Sequence, residues 1–341
     1  MRILMCPGQG SQSEGFLNEW FENVPGFKDK VSELGDAAGK NLVRLGTTAP
    51  EEEIKATENA QPLIVAAAIA AGRTALKLSD FDGVVGHSVG EFAAAALAGV
   101  ISDEDAMRLV AVRANAMADA AKLEITSMAA VLGGEQDAVL QTLAALGLSA
   151  ANYNGAGQIV AAGSKEAITQ LVATPPEKTR VIELKVAGAF HTSYMQPAVA
   201  KLAEAAARVV PDAPALKLWS NVDGQLVHSG SEFLSSLVSQ VSNPVRWDLC
   251  MASMDEYSAT VVELPPAGAL AGLAKRGMLS PRPGYRLVDW DVVASLFAPT
   301  TAQAAEAARL RDMHPSDVAA IIRALPLEQR RLVAAAMDDE R

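Results

Sequence analysis

The feature that most constrains this chain is a glycine–serine motif set between a strand and a helix. Residues 81–85 (FDGVV) read as a short buried strand, GHSVG follows at 86–90, and residues 90–100 have the composition of a buried, alanine-rich helix. A G-x-S-x-G sequence in this setting forms a sharp turn that lifts a serine hydroxyl above a sheet. The glycines remove side chains that would clash, and the helix N-terminus faces any negative charge developing beside the hydroxyl. We therefore predict that Ser88 is a nucleophile rather than a helix cap.

Strand and helix alternate on both sides of this motif. Residues 2–5 read as a second buried strand, and apolar positions at helical spacing predict a long core helix over 60–78. Another helix is predicted over 103–121, with Ser102 as its N-cap ahead of three acidic residues. Such alternation is typical of an α/β fold with a mainly parallel sheet. We expect this part of the chain to be α/β-hydrolase-like.

The middle of the chain has a different pattern. Strands are predicted at 128–132, 158–162 and 181–186, with helices at 136–146 and 165–172. A β-α-β-α-β unit of this size, inserted in a larger α/β domain, suggests a small ferredoxin-like subdomain. We therefore expect a large domain from residues 1–123 and 192–278, a small subdomain at 124–191, and an appended, mostly helical tail at 279–341.

A serine hydroxyl is a weak nucleophile and needs a base, and the chain offers four histidines. His87 adjoins the serine, but on a tight turn its side chain should point elsewhere. His228 lies in a polar loop and His314 in the tail. His191 ends a predicted strand and precedes a predicted helix start. Elimination therefore favours His191.

Composition limits the classes of partner and the compartment. The net charge is −11, whereas binding nucleic acid requires a basic face. No apolar run reaches the roughly 18–20 residues that span a bilayer, and the first residues lack the pattern of a signal peptide. Cys6 and Cys250 lie in apolar stretches and are expected to be free thiols, and no Cys/His spacing suits zinc. We expect a cytoplasmic monomer that binds neither nucleic acid, membrane nor metal.

Five motifs, in this order along the chain, carry a resemblance to a known family. They are PGQGSQ (7–12), GHSVGE (86–91), NYNGAGQ (152–158), GAFH (188–191) and NPVRW (243–247). Over about residues 1–278 the chain resembles the malonyl-CoA:acyl carrier protein transacylases and the acyltransferase domains of polyketide synthases. The resemblance implies ping-pong transfer of a malonyl group from malonyl-CoA to the phosphopantetheine thiol of an acyl carrier protein, with no bound cofactor.

The resemblance also implies roles for the residues around the nucleophile. Ser88 would be acylated, with His191 as its base and the backbone carbonyl of Gln240 orienting the imidazole. Backbone N–H groups of Gln9 and Val89 would form the oxyanion hole. From the residues alone, Gln240 is equally well explained as an ordinary glutamine at a helix end.

Arg113 would determine the substrate. By itself, a lone arginine on an apolar helix usually extends its charge to the surface, but this one aligns with the family arginine that grips the malonyl carboxylate. In related domains a bulky phenylalanine at the position of Phe190 goes with malonyl, whereas smaller or polar residues there often go with branched extender units, so the resemblance implies malonyl here. Asn154 and Met128 match positions that line the family's pocket.

One alternative stays open, and the tail departs from the family. A serine hydrolase or thioesterase of the α/β-hydrolase type also uses G-x-S-x-G, although it usually has an acidic triad member between serine and histidine. The tail at about 285–341 resembles instead a fragment of the N-domain of magnesium-transporter-type proteins, which implies an appended piece without separate activity. Whether the carrier serves fatty-acid or polyketide synthesis is left open by the sequence.

Overall fold

The computed structural model describes residues 1–277 of the chain. Its strands are β1 Arg2–Cys6, β2 Gly83–Gly86, β3 Thr126–Gly133, β4 Ser149–Gly155, β5 Gln158–Ser164, β6 Thr179–Leu184, β7 Lys217–Trp219, β8 Val245–Arg246 and β9 Thr260–Glu263. Its helices are α1 Asn18–Asn23, α2 Phe27–Ala38, α3 Leu42–Thr47, α4 Glu51–Lys55, α5 Thr57–Thr74, α6 Gly90–Leu97, α7 Asp103–Ala121, α8 Gln136–Ala145, α9 Lys165–Ala173, α10 Gln196–Ala206, α11 Gly230–Ser239, α12 Trp247–Asp255 and α13 Ala269–Gly277. The predictions for the tail at 279–341 lie outside the described residues.

A parallel sheet with the strand order β7-β2-β1-β9 confirms the predicted α/β class. The two central strands, RILMC and GVVG, are buried along almost their whole length. Continuous apolar runs of this kind are typical of parallel strands covered on both faces. Cys6 pairs with Gly86 at the carboxyl ends of β1 and β2. The loop at 7–12 and the serine motif therefore leave the sheet at the same edge.

Helices with small side chains cover this sheet. All eight residues of α6 are buried, as is most of the 18-residue α5. α6 packs on β1 and β2, and α5 packs against α6 and α7. The α7 helix begins as predicted after Ser102, whose hydroxyl accepts the Asp105 N–H at 3.0 Å. Its buried face carries Arg113 into the interior beside the serine motif.

The second sheet has the order β6-β3-β5-β4-β8 and is antiparallel except for the β4–β8 pair. The prediction for this region missed β4, so the observed order of elements is β-α-β-β-α-β. The sequence of β4, SAANYNG, has no β-branched residue and is rich in residue types that strands disfavour, which leaves no strand signal. The sheet also extends beyond residues 124–191, because β8 joins it from the later part of the chain. The division into domains stays a prediction.

Two predicted boundaries in the first half differ from the structure. The core helix was expected over 60–78, but α5 spans Thr57–Thr74 and a separate 3-10 turn forms at Leu78–Asp80. The neighbouring strand is predicted from residue 81, but β2 begins at Gly83, and just before it the carboxylate of Asp82 accepts the Arg2 N–H at 2.7 Å. Periodicity identifies such elements but does not fix their ends.

Candidate active site

Ser88 lies at a tight turn between β2 and α6, with a φ of 53°. Two glycines make this turn possible, because a Cβ on Gly86 or on Gly90 would come within 2.2 Å of backbone atoms. For Gly90 the contact would be with the carbonyl oxygen of Cys6, at the end of the adjacent strand. Asn221 holds the turn from outside: its Oδ1 accepts the Ser88 N–H at 2.8 Å, and its Nδ2 donates to the Gly86 carbonyl at 2.8 Å.

The hydroxyl of Ser88 is hydrogen-bonded to the imidazole of His191, with 2.7 Å between Oγ and Nε2. On the other side of the ring, Nδ1 lies 2.8 Å from the backbone carbonyl of Gln240. Because a carbonyl only accepts, Nδ1 carries the hydrogen, and the lone pair of Nε2 faces the hydroxyl. Burial and the nearby Arg113 charge lower the pKa of His191 to about 3, so the imidazole is neutral and able to accept a proton.

The structure describes three of the four histidines and places them in different surroundings. His87 lies next to Ser88 in sequence, but its Nε2 is bonded to the side chain of Asn154 at 2.9 Å. His228 is exposed. His314 lies outside the described residues. Among the histidines that the structure describes, His191 is the one hydrogen-bonded to the Ser88 hydroxyl.

The guanidinium of Arg113 lies beside the nucleophile and is almost fully buried, with 1% of the residue exposed. Nη1 donates to Gln61 Oε1 at 2.6 Å, and Nη2 donates to Gln240 Oε1 at 3.1 Å and to Ser88 Oγ at 3.4 Å. Its Nε is buried without a partner. Burial lowers the pKa of Arg113 to about 9, so the side chain is still a cation at neutral pH. Its hydrogen-bond partners among the described residues are all neutral, which leaves the charge available to a carboxylate.

Two backbone N–H groups near the turn have no acceptor among the described residues: those of Gln9 and Val89. Val89 directly follows the nucleophile at the start of α6, where helix N–H groups point outward. Gly8 packs against the turn, because a Cβ there would lie 2.7 Å from His87 Nδ1. Unpaired donors at this edge of the sheet are suited to bind an oxyanion, but their role stays a prediction.

The remaining predicted pocket residues are all buried. Asn154 lies in β4 and bonds His87, whose ring also packs edge-on against Trp247 with 5.4 Å between centroids. Phe190 is 7% exposed and directly precedes His191 in the chain. Met128 is 4% exposed in β3, between β5 and β6. The proposed contacts of Phe190 and Met128 with a substrate stay predictions.

Sequence reasoning missed two residues that hold the site together, Glu91 and Asn221. Asn221 supports the Ser88 turn and donates its own N–H to Glu91 at 2.7 Å. Glu91 is 1% exposed and accepts a second hydrogen bond from the side-chain amide of Gln240. Burial raises the pKa of Glu91 to about 8, against the effect of these donors and of the Arg113 charge. The acid at the end of GHSVGE could have signalled the role of Glu91. A buried helix rarely carries an acidic residue unless that residue has a buried partner.

Three structural absences concern residues 1–277 alone. They contain no group of three or more His, Cys, Asp or Glu side chains arranged to hold a metal ion. None of their helices is both long and apolar enough to cross a membrane. Cys6 and Cys250, the two cysteines of the chain, are buried and unpaired, as predicted.

A serine–histidine pair at the edge of a parallel α/β sheet, with a histidine set by a carbonyl, defines an enzyme that passes an acyl group through a serine ester. The sequence profile of the acyl transferase domain family matches residues 3–314, and the chain belongs to this family. This match extends beyond residue 278, up to which the sequence motifs indicated the resemblance.

Individual relatives agree with the family assignment. The malonyl CoA-acyl carrier protein transacylase of Mycobacterium tuberculosis (strain ATCC 25618 / H37Rv) is 50% identical over 281 residues, which cover 81% of this chain and 93% of the relative. The crystal structure of MCAT from Mycobacterium tuberculosis has a TM-score of 0.79 and 46% identity, and covers 87% of this chain and 99% of that chain. A malonyl-transacylase solved in complex with a type II PKS acyl-carrier protein has a TM-score of 0.77 and 28% identity, over 88% and 100% of the two chains.

Proposed function

We propose that this enzyme transfers the malonyl group of malonyl-CoA to the phosphopantetheine thiol of a holo-acyl carrier protein, through a malonyl ester on Ser88. One observation carries the proposal: a neutral His191 and a buried, cationic Arg113 both approach the Ser88 hydroxyl, at 2.7 and 3.4 Å. The histidine supplies a base for acyl transfer, and the arginine supplies a partner for a second, charged end of the acyl group. The transacylase relatives, one of them in complex with a carrier protein, support the same substrate and partner.

The first half-reaction forms the ester. His191 Nε2 accepts the proton of Ser88 as Oγ attacks the thioester carbonyl of malonyl-CoA, and the resulting oxyanion is stabilised by the N–H groups of Gln9 and Val89. When the C–S bond breaks, the imidazolium returns the proton to the sulfur and coenzyme A leaves as a thiol.

The second half-reaction reverses these roles. The carrier thiol gives its proton to His191 and attacks the ester carbonyl. The Ser88–acyl bond then breaks, and His191 returns the proton to Oγ. His191 therefore carries the serine proton to coenzyme A in the first half-reaction and the carrier proton to Ser88 in the second. Over the full cycle the protein neither gains nor loses a proton.

The short distance between Arg113 and the hydroxyl matches the size of a malonyl group. The carbonyl carbon and the carboxylate carbon of malonate are separated by one methylene, so they lie about 2.5 Å apart. A carboxylate on an acyl group held by Ser88 is therefore within reach of a guanidinium 3.4 Å from Oγ. A short neutral acyl group would leave the buried cation without a partner, which is unfavourable. Arg113 thus selects acyl groups with a carboxylate.

The acyl pocket, the fold of the two sheets and the cofactor requirement are also part of the proposal. We propose that three buried residues, Phe190, Asn154 and Met128, shape the acyl pocket. Asn154 is hydrogen-bonded to His87, which directly precedes the nucleophile in the chain. The large part of the chain is proposed to be α/β-hydrolase-like and the small sheet ferredoxin-like, an assignment supported by the order β6-β3-β5-β4 and its antiparallel pairing. The enzyme needs no cofactor, because His191 supplies the base and Arg113 supplies the positive charge.

The pathway and the compartment follow from the substrate and the cysteines. Malonyl groups on a carrier protein are extender units for fatty-acid or polyketide synthesis, and we assign the enzyme to that supply step. Two buried, unpaired cysteines suit a reducing compartment, so we place the enzyme in the cytoplasm.

The direct test compares transfer with hydrolysis. The enzyme is incubated with malonyl-CoA and a holo-acyl carrier protein, and malonyl-carrier and free malonate are both measured by mass spectrometry. We expect malonyl-carrier as the main product, and no transfer to the apo-carrier, which lacks the thiol. Release of free malonate at the same rate with and without the carrier would identify a hydrolase instead.

A further inference from the structure

A buried carboxylate lies directly behind the nucleophile and takes no part in the transfer steps. Glu91 is in the first turn of α6 and is 1% exposed. One of its oxygens accepts the N–H of Asn221 at 2.7 Å, and the other accepts Nε2 of Gln240. A buried carboxylate requires such donors, because leaving it unpaired in the interior is strongly unfavourable. Both donors belong to residues that touch the site.

The side-chain amide of Gln240 joins Glu91 to Arg113. Its Nε2 faces Glu91 and also donates to the Ser88 carbonyl at 3.2 Å, while its Oε1 accepts from Arg113 at 3.1 Å. A reversed amide would set oxygen against the carboxylate and an N–H₂ group against a guanidinium, which can only donate. Because an ionised carboxylate can only accept, Glu91 favours the orientation that presents oxygen to Arg113.

The amide also separates the negative charge of Glu91 from the guanidinium. A carboxylate in direct contact with Arg113 would form a charge-assisted pair that the substrate carboxylate would have to displace. Gln240 presents a neutral oxygen instead. The charge of Glu91 still acts on Arg113 at longer range, where it opposes the lowering of the arginine pKa by burial. Above the pKa of Glu91, the guanidinium thus has a counter-charge that leaves its own hydrogen-bond donors available to a ligand.

We propose that Glu91 is a positioning residue that orients the Arg113 guanidinium for the substrate carboxylate through the Gln240 amide. This inference rests on the proposed malonyl transfer, because it assigns a role toward the carboxylate of that substrate. The backbone carbonyl of the same glutamine accepts the His191 N–H. Gln240 therefore orients His191 through its backbone carbonyl and Arg113 through its side-chain oxygen. Glu91 holds the Gln240 amide in the orientation that makes the second contact possible.

The first variant is Glu91→Gln, which keeps the shape but removes the acceptor-only character. The new amide oxygen can still accept the Asn221 N–H, but its N–H₂ group then faces that of Gln240. We expect kcat/KM for malonyl-CoA to fall about tenfold or more. Assays run at a pH between the pKa of Glu91, which burial raises to about 8, and that of Arg113, which burial lowers to about 9. The control is Glu263→Gln, where the carboxylate accepts N–H groups at the start of α13, and kcat/KM should be unchanged.

A mutant cycle with Arg113→Ala tests whether Glu91 acts through the arginine. If it does, the Arg113→Ala background has no guanidinium that Glu91→Gln could misalign. The additional loss of kcat/KM in that background is then about twofold or less. An equal loss in both backgrounds would mean that the residue only supports the fold or the serine turn, and would overturn the proposal. Thermal midpoints of all four proteins show whether folding is affected.

A swap variant keeps the test decisive if Glu91→Gln alone does not fold. Glu91→Gln combined with Gln240→Glu restores complementary hydrogen bonds between the two positions, but puts the carboxylate directly against Arg113. We expect a folded protein whose KM for malonyl-CoA is about tenfold above that of the wild type, because the substrate must displace an ion pair. A KM equal to that of the wild type would contradict the proposal that a neutral amide must separate the carboxylate from Arg113. Transfer by the wild type, measured in parallel, tests the proposed function separately from the role of Glu91.

Discussion

The active site joins two regions that are built in different ways. The nucleophile comes from one continuous segment, residues 86–91, whose geometry follows from two glycines and the strand–helix turn. The cation comes from α7 and the base from the residues before α10. Hydrogen bonds to Gln240, which directly follows α11, help to hold both in place. Backbone geometry therefore fixes the first region, while the second depends on side chains far apart in sequence. Substitutions should affect the two regions in different ways.

Removing the base should have the largest effect on the second region. His191→Ala leaves the Ser88 hydroxyl without a proton acceptor at 2.7 Å, and we expect kcat for malonyl transfer to fall about 10²–10⁴-fold, the usual contribution of a general base. The matched control is His228→Ala, an exposed histidine that should leave kcat unchanged. Steady-state transfer to the carrier protein is the measurement. A loss of less than about tenfold in His191→Ala would show that another group accepts the proton.

The cation should control selectivity more than chemistry. In Arg113→Ala, kcat/KM for malonyl-CoA should fall about 100-fold, because a buried charge pair with the substrate is lost. With acetyl-CoA, which has no carboxylate, the loss should be much smaller. Arg108→Ala on the same helix removes an exposed arginine paired with Glu104 and serves as the control. Equal losses with both thioesters would contradict the selective role of Arg113.

Asn221 connects the two regions, so its loss should affect both activity and stability. Asn221→Ala leaves the Ser88 N–H and the Gly86 carbonyl without their partner, which should destabilise the protein by about 1–3 kcal/mol. We expect a roughly tenfold lower kcat with little change in KM, because the turn is misplaced and the substrate contacts remain. Urea unfolding and transfer kinetics test this. Asn23→Ala, which removes a side-chain bond to a backbone carbonyl at an exposed helix end, should change neither.

The smallest expected effect is a pH dependence of stability that belongs to His191. Burial and the Arg113 charge lower its folded-state pKa to about 3, whereas an unfolded histidine titrates near 6.5. Below pH 6.5 the unfolded chain therefore binds a proton that the folded protein does not, and stability falls as the pH falls. Between pH 7 and 5 this contributes about 2 kcal/mol. Compared with His191→Gln, the wild type should lose more stability over this range. The free energy of unfolding is measured with urea at each pH. An equal loss of stability between pH 7 and 5 in the two proteins would contradict the lowered pKa of His191.

The same contrast explains what the sequence predicts. The parallel sheet, the serine turn and α7 with its Ser102 cap follow from local patterns, because apolar runs, glycine spacing and capping residues act within a few positions. Elimination among four histidines was enough to favour His191. In contrast, the strand β4 has too few β-branched residues to be recognised, and it pairs only because β5 and β8 lie on either side of it.

The polar network behind the nucleophile was the part that sequence patterns could not supply. Asn221 lies in a loop that reads as ordinary polar surface, and Glu91 reads as part of a motif without a partner. Their roles depend on contacts with residues 130 positions apart along the chain. The position of Gln240, whose carbonyl and side chain both reach the site, is of the same kind. Such contacts are properties of the folded chain: the acid in the serine motif signals that Glu91 has a buried partner, but no local pattern identifies that partner.

The central claim is that Ser88 carries the malonyl group, and the mass of the intact protein tests it directly. The enzyme is incubated with malonyl-CoA in the absence of a carrier, and the wild type is compared with Ser88→Ala. The account predicts that the wild type gains the mass of one malonyl group, mapped to the peptide containing Ser88, and that the variant gains none. A malonyl adduct of equal yield on the Ser88→Ala protein would contradict it.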